Sequence, residues 1–263
     1  MGYCGMGCKS MRTQSKVKSF FEELDALFAA NRIREAGECI ERWMKNTEAP
    51  SEWNLHLTVL NEQLGYLRST GQKAKGIAAV IECIRVIGEH GLQNDPGTEK
   101  MYINIATTLC RFQRAEEGLS FYRKAEELME RECAGDYLFA TLYNNEASAY
   151  LQMGRPDHAL TLYEKALARL RRLPGTYPTQ AVTYANESDL YLELRQVHER
   201  HLALQKMQEC LDHSDNEYNS DYASACRKCA SAYGRAGLMQ EENELIRRAE
   251  RIYAGNTTGE SVL

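Results

Sequence analysis

The chain has 263 residues, of which 43% are hydrophobic and 26% are charged, a composition typical of a folded protein and not of a disordered one. Its net charge of −5 provides no basic surface for a phosphate backbone, so a nucleic acid is not expected as the main partner. No apolar run approaches the roughly 18–20 residues of a membrane span, and no signal-peptide pattern opens the chain, so neither a membrane nor a secreted protein is expected.

The chain is predicted to begin with a disordered tail, residues 1–16. This segment is rich in glycine but follows no strand, so it is not interpreted as a dinucleotide-binding loop. A translation start at Met11 instead of Met1 is the alternative left open. The nine cysteines are an odd number and are scattered through helical segments, which favours a reducing cytoplasm.

A repeated pattern occupies the rest of the chain. An anchor residue that is small or apolar recurs at intervals of 41 or 42 residues. The five clearest anchors are Leu64, Ala106, Ala147, Ser188 and Ala230. A second small residue follows three of them in the same register: Gly76 after Leu64, Gly118 after Ala106 and Ala159 after Ala147. Because antiparallel helices approach closely only where side chains are small, the pattern predicts one helical hairpin in each copy.

Six hairpins are predicted, followed by a polar tail at residues 255–263. In chain order, the hairpins span residues 17–47, 53–90, 99–133, 137–173, 179–213 and 220–254. At the end of the first helix, four copies carry a residue type that tolerates positive φ: Asn31, Gly71, Gly154 and Gly237. Gln113 and Arg195 occupy this position in the other two copies, so a turn of a different kind is expected there.

These copies resemble the tetratricopeptide repeat family, in the longer-repeat variety of kinesin light chains and Rap-type bacterial regulators. Residues 143–166 show the pattern best, with Ala147 and Tyr150 in the first helix and Ala159 and Ala166 in the second. The resemblance covers nearly the whole chain and is strong in copies three and four. It is weaker where a larger residue replaces a small one, as at Trp43, Arg200, Met207 and Glu242.

The resemblance implies an all-α, tetratricopeptide-like α-solenoid of six antiparallel hairpins that form a right-handed superhelix over residues 17–254. It also implies that the first helices line a concave groove for a peptide or a partner's helix, without a catalytic centre or cofactor. The leading hypothesis is therefore a non-catalytic protein-binding scaffold or adaptor. A peptide-responsive regulator of the Rap type is the alternative. Dimerisation through the terminal hairpin is also considered, because no extra capping helix is evident.

Asparagines are the main candidates for the groove. Asn104, Asn145 and Asn186 each stand two residues before an anchor, about 200° around the helix from the core. They are expected to form a column along the concave wall, and Asn144 is expected to contribute. An amide offers donors and an acceptor without a charge, which suits the main chain of an extended ligand. The alternatives left open are that these amides bridge neighbouring helices or have no role.

Other polar residues are expected to line the same groove, just after the anchors. They are Arg111, Ser148, Gln152, Asp189, Glu193 and Arg235, together with Lys228 in the column position of copy six. Their charges are mixed along the chain, which favours a ligand of mixed charge over a uniformly acidic tail. A solvated face without any binding role is the alternative interpretation.

One cluster has the composition of a metal site. Cys210 and His213, followed by Cys226 and Cys229, provide ligand types and spacings that zinc accepts. The two later cysteines fall at core positions, however, where buried free cysteine is a common small apolar residue. No metal is therefore expected, and a zinc-binding or enzymatic protein is the least favoured hypothesis.

Overall fold

The computed structural model describes residues 11–30, 32–132, 134–213 and 215–258. Every regular element in this part of the chain is helical, which confirms the all-α prediction. The α-helices are α1 (Met11–Ala29), α2 (Ile33–Asn46), α3 (Trp53–Ser69), α4 (Lys73–Glu89), α5 (Thr98–Arg111), α6 (Ala115–Arg131), α7 (Asp136–Gln152), α8 (Pro156–Leu170), α9 (Tyr177–Glu193), α10 (Val197–Leu211), α11 (Ser220–Ala236) and α12 (Met239–Thr258). None of these helices has both the length and the apolar character that a membrane span requires.

Consecutive helices pair into hairpins, from α1 with α2 to α11 with α12. The chain divides into two compact units, one that ends at Ala134 and one that begins at Gly135. In the first unit, α3 packs against α5, and in the second, α9 packs against α11. The first helices of these neighbouring hairpins are therefore in contact, as the solenoid prediction requires.

The helices at the two ends extend beyond the boundaries predicted for the first and last hairpins. Helix α1 begins at Met11, inside the segment predicted as a tail, and Lys16 on this helix forms a 2.6 Å ion pair with Glu52. Helix α12 continues to Thr258, into the segment predicted as the C-terminal tail. Residues 1–10 and 259–263, and the predicted turn residue Asn31, lie outside the described residues.

Small residues lie where the two helices of a hairpin cross. Ala106 and Ala147 are both 0% exposed. A Cβ atom at Gly118 would approach Sγ of Cys110 to 2.5 Å and the backbone oxygen of Ala106 to 3.0 Å. Tyr122, one turn further along α6, is buried beside this crossing. The predicted anchor positions are therefore core positions, and their size determines how closely the helices approach.

Three copies carry a large residue where a small one is usual, and each copy accommodates it differently. Trp43 donates a hydrogen bond from Nε1 to Glu23 at 3.0 Å. Glu242 packs against Gly234, whose missing side chain leaves the necessary space. Arg200 has no such compensation in the described residues, because its Nε and Nη2 atoms are buried without a hydrogen-bond partner. Copy five is thus the least regular hairpin of the second unit.

The five hairpin turns whose central residue the structure describes are alike, which corrects the expectation of a different turn at Gln113 and Arg195. Both residues adopt positive φ, at 65° and 57°, close to the 67° of Gly154. The same pair of backbone hydrogen bonds closes the turns at Gly154 and Arg195. Gly154 N donates to Leu151 O and Arg155 N donates to Tyr150 O, both at 2.9 Å. In the other turn, Arg195 N donates to Leu192 O at 3.1 Å and Gln196 N donates to Tyr191 O at 2.9 Å. Helix packing therefore imposes the left-handed conformation even on residues that do not favour it.

Replacement of Arg195 by glycine is expected to raise the free energy of unfolding by about 1 kcal/mol, since a left-handed backbone costs other residues about 1–2 kcal/mol and glycine loses more entropy on folding. Urea denaturation of the two proteins measures the difference. Gly154→Ala, at the same position of the preceding copy, is the matched control and is expected to lower stability. Equal stability of Arg195→Gly and the wild type would show that the turn carries no strain.

Candidate functional site

A cavity of about 720 Å³ lies in the second unit, where three first helices each contribute one face. The α7 face consists of Tyr137, Thr141, Asn144, Asn145 and Ser148. The α9 face consists of Pro178, Thr179, Val182 and Asn186. The α11 face consists of Asp221, Ser224, Ala225 and Lys228. Within each set the residues are adjacent or three to four positions apart, the spacing that places side chains along one side of a helix.

The three asparagines of this cavity differ in how many hydrogen bonds their side-chain amides already form within the protein. Asn144 donates to Ala140 O at 3.1 Å and to Thr183 Oγ1 at 3.0 Å, and its oxygen accepts from Asn186 Nδ2 at 3.3 Å. Asn186 has no other side-chain bond within the described residues, and Asn145 has none at all. Asn144 thus fixes the position of Asn186, while the half-buried amide of Asn145 has its full capacity left for a ligand.

Ser148 and Lys228 also lie in the cavity, as predicted groove residues. The Ser148 hydroxyl lies 3.4 Å from the backbone oxygen of Asn144 and bonds with Tyr163. Burial raises the pKa of Tyr163 above its usual range, so this hydroxyl stays protonated. Lys228 is exposed and forms no ion pair in the described part of the chain. Its ammonium group is the positive charge of the cavity lining.

Asp189 and Arg235, predicted to meet a ligand, bond with each other instead. Arg235 Nε donates to Asp189 Oδ1 at 2.6 Å, across from α11 to α9. The pair is partly exposed and its two charges cancel, so it contributes little to the recognition of a charged ligand. Gln152 and Glu193 are exposed at the ends of α7 and α9 and do not line the cavity.

Asn104 and Arg111 belong to the first unit, where the asparagine connects two helices. Asn104 Nδ2 donates to Asn61 Oδ1 at 2.7 Å. Arg68 donates to the Asn104 backbone oxygen at 3.1 Å and to its amide oxygen at 3.3 Å. Both ends of the Asn104 amide are therefore engaged between α3 and α5. Arg111 is exposed in the last turn of α5.

Two ionisable groups in this network are partly buried. Burial lowers the pKa of the Arg68 guanidinium. Burial also raises the pKa of Glu62, although a hydrogen bond from Asn61 acts in the opposite direction. The continuous column through Asn104, Asn145 and Asn186 stays a prediction, since the first of them lies in a different unit from the other two.

The cysteine and histidine cluster does not have the geometry of a metal site. Cys226 and Cys229 are 0% exposed, and burial raises the pKa of both thiols, which disfavours the thiolate that zinc requires. Burial raises the pKa of Cys210 to about 11. The ring of His213 stacks on Tyr177, with 3.5 Å between the ring centroids. Within the described residues, no three His, Cys, Asp or Glu side chains form a group suited to a metal ion.

Sequence reasoning missed one end of the cavity. This end contains Tyr137 in the first turn of α7 and Asp221 in the first turn of α11. It also contains Asp215 and Glu217, in the connection before α11. A signal was present, because residues 212–221 contain four acidic residues and no basic side chain other than His213. It was overlooked because groove positions were counted from the helix anchors, and this connection lies outside that register.

Comparison with known proteins supports the repeat interpretation. The sequence profile described as tetratricopeptide repeat matches residues 97–172 and 138–199. These matches include copies three and four, where the resemblance was predicted to be strong, and stop just before Arg200. No curated protein is significantly similar to the chain in sequence.

Several solved structures share the fold. The crystal structure of BtubC (BKLC) from P. vanneervenii is 18% identical, with a TM-score of 0.50 and coverage of 97% of this chain and 95% of that one. A putative kinesin light chain of Podosopora anserina with nearly identical TPR-like repeats is 16% identical, with a TM-score of 0.53 and coverage of 81% of this chain and 100% of that one.

The apo form of the quorum sensor NprR from B. thuringiensis is 14% identical, with a TM-score of 0.56 and coverage of 89% of this chain. The chain spans 63% of that protein's length. At these identities the likeness shows the fold alone. The resemblance predicted from the sequence is confirmed: the chain is an all-α protein of tetratricopeptide-like hairpins, with a match to the family's sequence profile over residues 97–199.

Proposed function

We propose that the chain is a non-catalytic binding protein that holds an extended segment of another polypeptide in the cavity of its second unit. The observation that carries this proposal is the amide of Asn145, which faces the cavity and forms no side-chain hydrogen bond in the described residues. A half-buried amide keeps part of its surface open to solvent, so a ligand's main chain can supply it with a donor and an acceptor.

The neighbouring amides are arranged for the same task. Asn186 uses one N–H on Asn144 and keeps its oxygen and a second N–H for a ligand. Asn144 holds it in place through its own bonds to Ala140 and Thr183, so less side-chain freedom is lost when a ligand binds. Uncharged amides recognise any main chain, which suits a protein that selects its ligand by shape and a few charges.

Asn145→Ala combined with Asn186→Ala is expected to weaken binding about 30-fold, because two amides contribute roughly 2 kcal/mol of net hydrogen bonding. The ligands are peptides selected on the wild-type protein from a random eight-residue display library, and fluorescence anisotropy gives their affinities. Gln152→Ala is the matched control, an exposed amide on α7 outside the cavity, and is expected to leave affinity unchanged. Unaltered affinity in the double variant would refute the assignment of this cavity.

A regulator that responds to a peptide, as a quorum sensor does, is the second candidate, favoured by the fold shared with NprR. Such a regulator changes conformation when the peptide binds, whereas a scaffold does not. Small-angle scattering of the protein with and without a selected peptide distinguishes the two. A radius of gyration that does not change on saturation would exclude the regulator.

We further propose that the protein is cytoplasmic, since none of the six cysteines in the described residues forms a disulfide and most of them are buried. Dimerisation through the last hairpin stays a prediction. Helix α12 presents exposed polar residues such as Gln240, Glu241 and Arg247, which also suit a solvated end. Sedimentation at two protein concentrations would decide between the two states.

A further inference from the structure

We propose that the segment bound in this cavity carries a lysine or arginine at one point and a carboxylate about three residues away. This inference rests on the proposed function and adds the charge pattern of the ligand. It follows from the distribution of charge along the cavity, which is negative at one end and positive at a point two helical turns further on.

The negative end contains Asp215, Glu217 and Asp221. Glu217 and Asp221 form no ion pair with a lysine or arginine in the described residues, and Asp215 lies 3.8 Å from His213 Nδ1. These carboxylates are not needed to cap α11, because the side-chain oxygen of Asn219 already accepts from the backbone N–H groups of Asp221 and Tyr222, both at 3.0 Å. Glu217 accepts one long hydrogen bond from Asn219 Nδ2, at 3.4 Å. The negative charges of Glu217 and Asp221 are therefore available to a ligand.

An aromatic ring lies at the same end. Tyr137, in the first turn of α7, is 51% exposed, a large fraction for an aromatic side chain, and its hydroxyl lies 3.4 Å from Thr179 Oγ1. An exposed ring beside carboxylates is a combination that binds cationic side chains, through the face of the ring and through ion pairing. This end therefore suits a lysine or arginine of the ligand.

Lys228 supplies the positive charge of the cavity. It stands seven residues after Asp221 on the cavity-facing side of α11, about 10 Å further along the helix axis. An extended chain advances roughly 3.3 Å per residue, so about three ligand residues span that distance. The free amide of Asn145 and that of Asn186 lie in the same cavity and would hold the main chain between the two charges. A carboxylate, from a side chain or a C-terminus, would then meet Lys228.

The first test examines the peptides selected from the random library, at an ionic strength near 50 mM, where exposed charges are weakly screened. Enrichment of a basic and an acidic residue three positions apart is the expected result. The contrary result is a set of selected peptides that lose affinity in the Asn145→Ala, Asn186→Ala double variant and yet contain no such pair of charges. That result would overturn this inference and leave the proposed function intact. A library that yields no binding peptide would overturn both.

The second test exchanges charges. Lys228→Glu is expected to lower the affinity for a selected peptide about tenfold. The same variant is expected to bind more tightly a peptide in which lysine replaces the acidic residue, since each charge then meets an opposite one. Arg227→Glu is the matched control; it makes the same change of charge one residue away, outside the cavity. Equal effects of the two variants, or no recovery with the substituted peptide, would contradict the proposal. Circular dichroism confirms that both variants are folded.

Discussion

Replacement of Gly118 by valine is expected to lower the free energy of unfolding by about 3 kcal/mol, the upper end of what overpacking usually costs. The new Cβ would lie 2.5 Å from Cys110 Sγ and 3.0 Å from the backbone oxygen of Ala106, at the point where α5 and α6 cross. A side chain can rotate away from such a clash, but a backbone oxygen moves only with its helix. The two helices must therefore separate, and the buried surface around Tyr122 opens with them.

Urea denaturation followed by circular dichroism measures this loss, with the transition fitted for more than one step if the two units unfold separately. Gly88→Val is the matched control. Gly88 lies in α4 of the same unit, and nothing stands within 4 Å of the position its Cβ would take. The free energy of unfolding of the Gly88→Val variant is expected to differ from that of the wild type by less than about 0.5 kcal/mol. Similar losses in the two variants would show that the crossing does not depend on glycine.

Glu187→Gln is expected to stabilise the second unit at alkaline pH and to have little effect at acidic pH. Glu187 on α9 is 7% exposed, and burial raises its pKa from 4.5 to about 7. Lys206 and Arg171 act in the opposite direction, and the nearby Glu164 adds to the rise. The folded protein therefore binds this proton more tightly than the unfolded chain does.

Since the folded pKa is the higher one, the stabilisation linked to this proton is complete below about pH 4.5 and is lost as the pH rises through about 7. The loss amounts to roughly 2–3 kcal/mol at pH 8.5. Glutamine keeps the shape without the charge, so the variant should lack this part of the pH dependence. Urea denaturation at pH 5.5 and 8.5 measures it, and Glu193→Gln, exposed on the same helix, is the control. A stability difference that is the same at both pH values would refute the assignment.

The hairpins and their register were predictable because their causes lie within one copy. Helix formation depends on spacings of three and four residues, and the crossing of two helices depends on small residues such as Ala147 and Ala159 in one short segment. The ends were less predictable. Residues 11–16 belong to α1, and Lys16 on this helix pairs with Glu52 in the connection before α3, a contact that no local pattern shows.

The site was predictable only as a set of positions. Asn104, Asn145 and Asn186 occupy one register, yet the first is engaged between α3 and α5 and the second has no side-chain partner in the described residues. The acceptors in the two asparagine bridges are Asn61 and Asn144, each three residues before the anchor of the preceding copy. Copy three carries an isoleucine there, which has no amide, so this difference could have been read from the sequence.

What the sequence by itself determined is therefore the helical hairpin, its repetition and the small residues at each crossing, since these follow from interactions between residues close in the chain. Only the tertiary structure decided which polar groups remain available. Asp189 is neutralised by Arg235 from the next hairpin, while Glu217, Asp221 and Lys228 line an open cavity. The physical reason is that a hydrogen bond or ion pair needs a partner within about 3 Å, and in this chain that partner stands some 40 residues away, on a neighbouring helix.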